Sequence, residues 1–152
     1  MSGRLAGIAK RDRPKGPMHT ATSGEVSVVE GLRGDFRSAL ASSKGTRKRQ
    51  VSLIEGDSWR RAVADSGCLA DWFDSRRNLL VEGLRLPREP GARIAIGADL
   101  VLEVTCECDP CERMDALHPG LRAALTPDWR GGVLARVITD GHIAVDDTIR
   151  IL

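Results

Sequence analysis

Tyrosine is absent from this 152-residue chain, and only two Phe and three Trp accompany that absence. Single-stranded nucleic acids are held largely by stacking on aromatic rings, so the scarcity argues against that class of partner. A dominant charge is missing too. The 23 basic and 21 acidic residues leave a net charge of +2, far from the basic excess that a long polyanion selects. No apolar run approaches the roughly 18–20 residues of a membrane span. The opening Met1-Ser2-Gly3-Arg4-Leu5 lacks the apolar stretch of a secretory leader. These absences predict a cytoplasmic protein with neither nucleic acid nor membrane as partner. A P-loop, a Gly-rich dinucleotide fingerprint and a Ser-His-Asp arrangement are also missing.

What is present is local. Basic residues gather at Arg47-Lys48-Arg49, Arg60-Arg61 and Arg76-Arg77. Clusters this small suit a compact anionic ligand better than a polymer, although for any single cluster a solvated charged surface takes precedence. The four cysteines, in a reducing compartment, read as thiols or metal ligands rather than structural disulfides.

Sixteen glycines, seven prolines and many short β-branched runs predict a strand-rich fold. With no linker or internal repeat, residues 1–152 read as a single domain. Strands are expected at Leu5–Ala9, Gly24–Val29, Arg49–Ile54, Asn78–Glu82, Arg93–Ile96, Leu100–Thr105 and Thr148–Leu152. Asp57–Ala64 reads as a helix, with Trp59, Ala62 and Val63 on one face. Ala39–Lys48 is small, polar and basic, the pattern of a mobile loop. Gly132–Thr139, Asp140-Gly141 and His142–Val145 carry the signature of a hairpin closed by a type I′ turn. Together these predict a barrel-like β fold.

Three of the four cysteines lie in Cys106-Glu107-Cys108-Asp109-Pro110-Cys111. Alternation from Leu100 places Cys106 on the apolar face of its strand, as a buried small hydrophobe, and leaves Cys108 at the frayed end. Asp109-Pro110-Cys111-Glu112 has the pattern of a helix start: Asp as N-cap, Pro at the first helical position, Glu three residues on. Cys111 would then be the second helical residue, where unpaired N–H groups favour a thiolate and Arg113 adds to the effect. Cys111 is therefore the candidate reactive thiol. Met114 and His118 share its expected helical face, so a packing role stands beside the reactive one. Two other readings compete. Cys106, Cys108 and Cys111 with Cys68 or His118 form half of a zinc-ligand pattern, and Cys108-Asp109-Pro110-Cys111 is a C-x-x-C of the thiol-redox type. His19, His118 and His142 have no evident acid, base or metal partner in the sequence.

The order and spacing of several stretches resemble the MOSC domain, the C-terminal domain of molybdenum-cofactor sulfurases, which also exists as small stand-alone bacterial proteins. These stretches are Gly31-Leu32-Arg33-Gly34-Asp35, Arg49–Ile54, Arg76–Leu84, Ile96-Gly97, Leu102–Thr105, Cys108–Cys111, Pro119-Gly120-Leu121 and Arg130–Val133. The resemblance implies a mainly β fold, a MOSC-type β-barrel with a few short helices. It implies molybdenum cofactor (molybdopterin) as ligand, with Cys111 as molybdenum ligand or sulfur carrier. Cofactor contacts fall around Arg49, Gln50, Arg76, Arg77 and Asn78, whose planar donors suit a phosphate-bearing pterin. Two departures stand out: Arg37 is the nearest basic residue where relatives often carry a histidine, and Val145-Asp146-Asp147 replaces a Val-Gly-Asp.

Two chemistries follow from the resemblance. One is reduction of N-hydroxylated compounds with electrons from a partner protein. The other is sulfur transfer, in which Cys111 takes a persulfide from a separate pyridoxal-phosphate-dependent cysteine desulfurase. The alternatives are a non-catalytic cofactor carrier and a thiol-redox or zinc module built on Cys106, Cys108 and Cys111.

Overall fold

The computed structural model describes residues 2–152. The first half of the chain runs β1 (Ser2–Lys10), β2 (His19–Ala21), β3 (Ser23–Ser27), β4 (Gly31–Leu32), α1 (Phe36–Ser42), β5 (Val51–Glu55) and α2 (Gly56–Ser66). It continues through β6 (Leu79–Glu82), β7 (Arg93–Ile96), β8 (Leu100–Glu107), α3 (Glu112–Leu117), α4 (Leu121–Leu125), β9 (Val133–Thr139), β10 (Gly141–Ala144) and β11 (Thr148–Ile151). No helix among the described residues is long and apolar enough to cross a membrane.

Seven strands close on themselves in the order β1, β6, β5, β9, β8, β7, β11 and back to β1. The closing pair runs from Ser2 opposite Arg150 to Arg4 opposite Thr148. Among the described residues only β5 and β6 pair in parallel, and α2 makes the crossover between them. A parallel pair needs such a crossover, and the helix then covers the strands' outer face. β5 is accordingly buried along its whole length. Its Leu53 packs inside the barrel with Leu5, Leu79, Ile94, Leu102 and Val137. Its Ile54 packs outside with Trp59 and Ala62 of α2 and with Leu121 and Leu125 of α4. The helix expected at Asp57–Ala64 thus forms, extended at both ends. It stops at Gly67, whose φ of +76° lets its N–H cap the Val63 carbonyl, a conformation that glycine adopts at little cost.

Two expectations fail. The first concerns the hairpin after β9: β10 pairs with β3 rather than with β9, in a small sheet β10-β3-β4. Gly141 does not take a positive φ, so no type I′ turn forms. Instead the Asp140 carboxylate accepts a hydrogen bond from the Val28 amide at 2.7 Å and draws the chain towards β3. Val26, Leu32 and Ile143 then seat the small sheet against the barrel core.

The second concerns Ala39–Lys48. Its first part is the end of α1, capped by Asp35, whose Oδ2 accepts from the Ser38 amide at 2.8 Å. A polar composition hid the cap, which lies outside the stretch. Behind α1, fully buried Gln50 links several elements. Its amide nitrogen donates to the Val28 carbonyl and Ser42 Oγ, and its Oε1 accepts from the Val137 amide and from Arg47.

Gly132 shows how closely the strands approach the site. It has a φ of +93°, and a Cβ there would overlap the Leu53 carbonyl oxygen. Gly132→Ala combines a disfavoured backbone with a backbone clash, and should cost at least about 2 kcal/mol. Urea denaturation of the variant beside wild type measures this.

Candidate functional site

Where β1 ends and β6 begins, backbone ties gather side chains from distant parts of the sequence. Asp35 caps α1 with one carboxylate oxygen and accepts from the Arg11 amide at 3.0 Å with the other. Asn78 bonds Ser52 of β5 through its Oδ1 and the Ala9 carbonyl through its Nδ2. These contacts fix the positions from which Arg11, Arg37, Arg49 and Arg76 project into one narrow throat, together with Asp35, Ser52 and Asn78. The void between them is about 20 Å³, close to the space of a single water.

The throat carries far more positive than negative charge. Burial lowers the Arg11 pKa below its ordinary value; the charges of Arg76 and Arg113 act in the same direction and Asp35 partly offsets them. Arg37 is lowered too, first by burial and then by Arg49 and Arg113. Arg11 is 8% exposed, yet its Nη1 has no hydrogen-bond partner; neither has the buried Nε of Arg49. Buried donors are nearly always paired, and leaving one bare costs about 1–3 kcal/mol. Arginines gathered around a common void, two of them with an unpaired donor, suit a bound oxyanion.

Arg77 has a different place. It is 4% exposed, and its guanidinium donates to the carbonyls of Gly131 at 2.9 Å, Ser75 at 2.6 Å and Cys108 at 3.4 Å. Gln50 and Asn78 likewise have their amides engaged by protein atoms. Of the five residues expected around the cofactor, the structure brings Arg49 and Arg76 together at the throat. Gln50 and Arg77 lie behind its wall, and Asn78 touches it with a committed amide. The Arg60-Arg61 cluster stands apart, with Arg60 paired to Asp57 and Glu82.

Arg11 was legible only as part of a basic turn, and Arg37 only as a substitution for histidine. Their partnership is a tertiary fact.

The cysteines separate. A bulge between Val104 and Cys106 breaks the alternation of β8. Cys106 is therefore half-buried, correcting the expectation that it ends the buried face. Cys108 is buried instead, 1% exposed, with its amide donating to the Gly132 carbonyl at 2.8 Å. That bond and the Arg77 contact hold the chain extended through Cys108, so the helix begins two residues later than expected. Cys111 occupies the N-cap position of α3, with a φ of −118° and no side-chain cap bond. Its thiol is exposed. Cys68 is buried in the helical core and His118 Nε2 lies 2.9 Å from the Ser66 carbonyl. Among the described residues no three His, Cys, Asp or Glu side chains converge as a metal-binding group, so the zinc pattern does not assemble.

On one side of the throat lies a cavity of about 440 Å³, which shares Arg37 and Arg49 with it. Lys44 and Lys48 add positive charge there, and Cys106, Glu107 and Asp109 also line it. The Glu107 carboxyl is raised above its ordinary value, first by burial and then by the charge and hydrogen bond of Asp109.

Two measurements test this description. Phosphate should raise the stability of wild type by about 1 kcal/mol, a few degrees, at about five times its Kd. Arg49→Gln should match or exceed wild type without phosphate and lose most of that gain, as read by thermal melts across a phosphate series. Because the Glu107 pKa is raised on folding, the folded state binds more protons than the unfolded state between the two values. Stability from this group therefore falls as pH rises through that window. Glu107→Gln should be more stable than wild type above the window, with the difference closing below it, as urea denaturation from pH 4 to 8 measures.

Residues 41–150 match the MOSC domain family. No curated protein matches the chain. Among solved structures, the chain is similar to the YuaD protein from Bacillus subtilis, with a TM-score of 0.78 and 19% identity over 98% of this chain and 94% of that one. It is also similar to YiiM from Geobacillus stearothermophilus, with a TM-score of 0.70 and 15% identity over 99% and 75% of the two chains. YiiM from Escherichia coli aligns with a TM-score of 0.67 and 15% identity over 98% and 69%. At these identities the structural likeness establishes a shared fold, the mainly β barrel with four short helices. With the family match covering most of its length, the chain belongs to the MOSC domain family.

Proposed function

We propose that this protein binds molybdenum cofactor in the first cavity and throat, with the Cys111 sulfur as a ligand of the metal or as a carrier of sulfur. The observation that carries the reading is the pair of unpartnered buried donors, Arg11 Nη1 and Arg49 Nε, in a throat of four arginines. A phosphate-bearing pterin fits this donor set. Its phosphate would lie at the mouth of the throat with Arg37 and Arg49, which the adjoining cavity shares. Its ring edge, which both donates and accepts hydrogen bonds, suits the Glu107 and Asp109 carboxyls of the adjoining cavity. In the chain, Cys111 stands two residues from Asp109 of the first cavity and two from Arg113 of the second, and its sulfur is a soft ligand.

When bound, the cofactor would supply two-electron redox chemistry. The chain supplies a cationic cradle for the anionic group, a carboxyl held towards its protonated form at Glu107, and an exposed sulfur. The reaction that suits this set is reduction of an N-hydroxylated compound to the amine and water, with two electrons from a partner protein and two protons. The exposure of Cys111 favours a second reading. A partner cysteine desulfurase, itself dependent on pyridoxal phosphate, would reach that thiol and transfer sulfur to it as a persulfide.

Anaerobic purification followed by elemental analysis and pterin fluorescence tests both readings. Wild type should carry molybdenum and pterin near one per chain, after reconstitution if necessary. Cys111→Ser should lose molybdenum while keeping much of the pterin, because the arginine throat remains. A persulfide at Cys111 in intact-mass spectra would favour sulfur transfer. Absence of both molybdenum and pterin from reconstituted wild type would sink the proposal.

A further inference from the structure

A second cavity, of about 480 Å³, opens on the other side of the throat and shares Met18 and Arg76 with it. Its size lies in the range of small-molecule sites. Its chemistry differs from that of the first. Met18, Met114 and Leu117 give it an apolar floor, and methionine adapts readily to varied apolar shapes. Around that floor stand three cations, Lys15, Arg76 and Arg113, against one carboxylate, Asp74.

The cations are not equally free. Arg76 donates to the Gly16 carbonyl at 3.2 Å. Among the described residues, neither Lys15 nor Arg113 meets a carboxylate within ion-pair distance. Asp74 is partly committed, because its Oδ2 accepts from the Asp71 amide at 3.1 Å and so caps the turn Trp72–Ser75. The cavity therefore presents apolar surface beneath two uncommitted positive charges. The neighbouring arginines of the throat deepen the positive potential. A cationic guest is repelled by that field, and a neutral one leaves it unanswered.

We propose that this second cavity is the binding site for a small amphipathic carboxylate, its apolar body on Met18, Met114 and Leu117 and its carboxylate held by Lys15 and Arg113. This inference rests on the cofactor reading in one respect: with the cofactor in the first cavity and throat, the occupant of the second is the substrate. The substrate is then an N-hydroxylated compound that also bears a carboxylate, rather than a simple N-hydroxylated base.

The test uses the full chain without cofactor and three probes of one shape: 4-phenylbutyrate, 4-phenylbutyramide and 4-phenylbutylamine. Each is titrated into isotopically labelled protein and followed by amide chemical-shift changes. The carboxylate should bind at least about 10-fold more tightly than the amide, as expected for a charge-assisted pair, with the amine weakest. Shifts should centre on Lys15–Met18, Asp74–Arg76 and Arg113–Leu117. Arg113→Gln and Lys15→Gln, both at exposed positions, should each weaken the carboxylate about 5-fold or more and leave the amide unchanged. Equal binding of amide and carboxylate, no detectable binding, or shifts confined to the first cavity overturns the proposal. The cofactor reading fails separately. Carboxylate binding in a protein that never retains molybdenum leaves the cavity assignment standing, whereas retained molybdenum without carboxylate selectivity removes this inference alone.

Discussion

Arg77 is the interaction on which the candidate site depends. Its buried guanidinium meets three backbone carbonyls, from Ser75, Cys108 and Gly131, rather than a carboxylate. One side chain thus joins the turn before β6, the end of β8 and the start of β9. A neutral side chain in its place would leave those carbonyls bare and free the cysteine stretch to move. The course of the chain into Cys111 at the start of α3 follows from this clamp. The nascent helix contributes less, since α3 is only six residues long.

The throat itself opposes folding. Four guanidinium groups around a space of about 20 Å³ repel one another, and two of them leave a buried donor unpaired. Such an arrangement persists when the surrounding scaffold determines it and a ligand later repays the cost. Asp35 is the counterweight: held in place by the Ser38 and Arg11 amides, its carboxylate offsets part of the charge on Arg11 and Arg37. The barrel strands supply the rigidity. Ser52 and Asn78 fasten β5, β6 and β1 just beneath the arginines, and the apolar residues below them are almost wholly buried.

The sequence was most informative where local pattern and tertiary structure agree. Strands such as Arg93–Ile96 and the helix around Trp59 carry their own periodicity and end at glycines, so they were legible at once. The hairpin was misleading because Asp140-Gly141 has the composition of a tight turn, while the side chain of Asp140 is recruited by the turn after β3, more than a hundred residues away. Cys106 was misplaced because alternation contains no sign of a bulge. The resemblance to the MOSC domain singled out Arg49 and Arg76, which the structure places at the throat. Sequence alone could not separate a side chain that faces the void from one, like Arg77 or Gln50, that holds the wall in place. Both kinds are polar and stand next to each other in the chain, and only their hydrogen bonds distinguish them.

The barrel closes by pairing its first strand with its last, Ser2 opposite Arg150. Contacts of such high sequence separation carry a large loop-closure entropy and slow folding. While the chain is being synthesised, β1 has no partner on that side until β11 has left the ribosome, and its neighbour β6 appears only midway. Every arginine of the throat is made before the ring can shut. Until then the sheet keeps an open edge, so the closed ring around the core belongs to the completed chain.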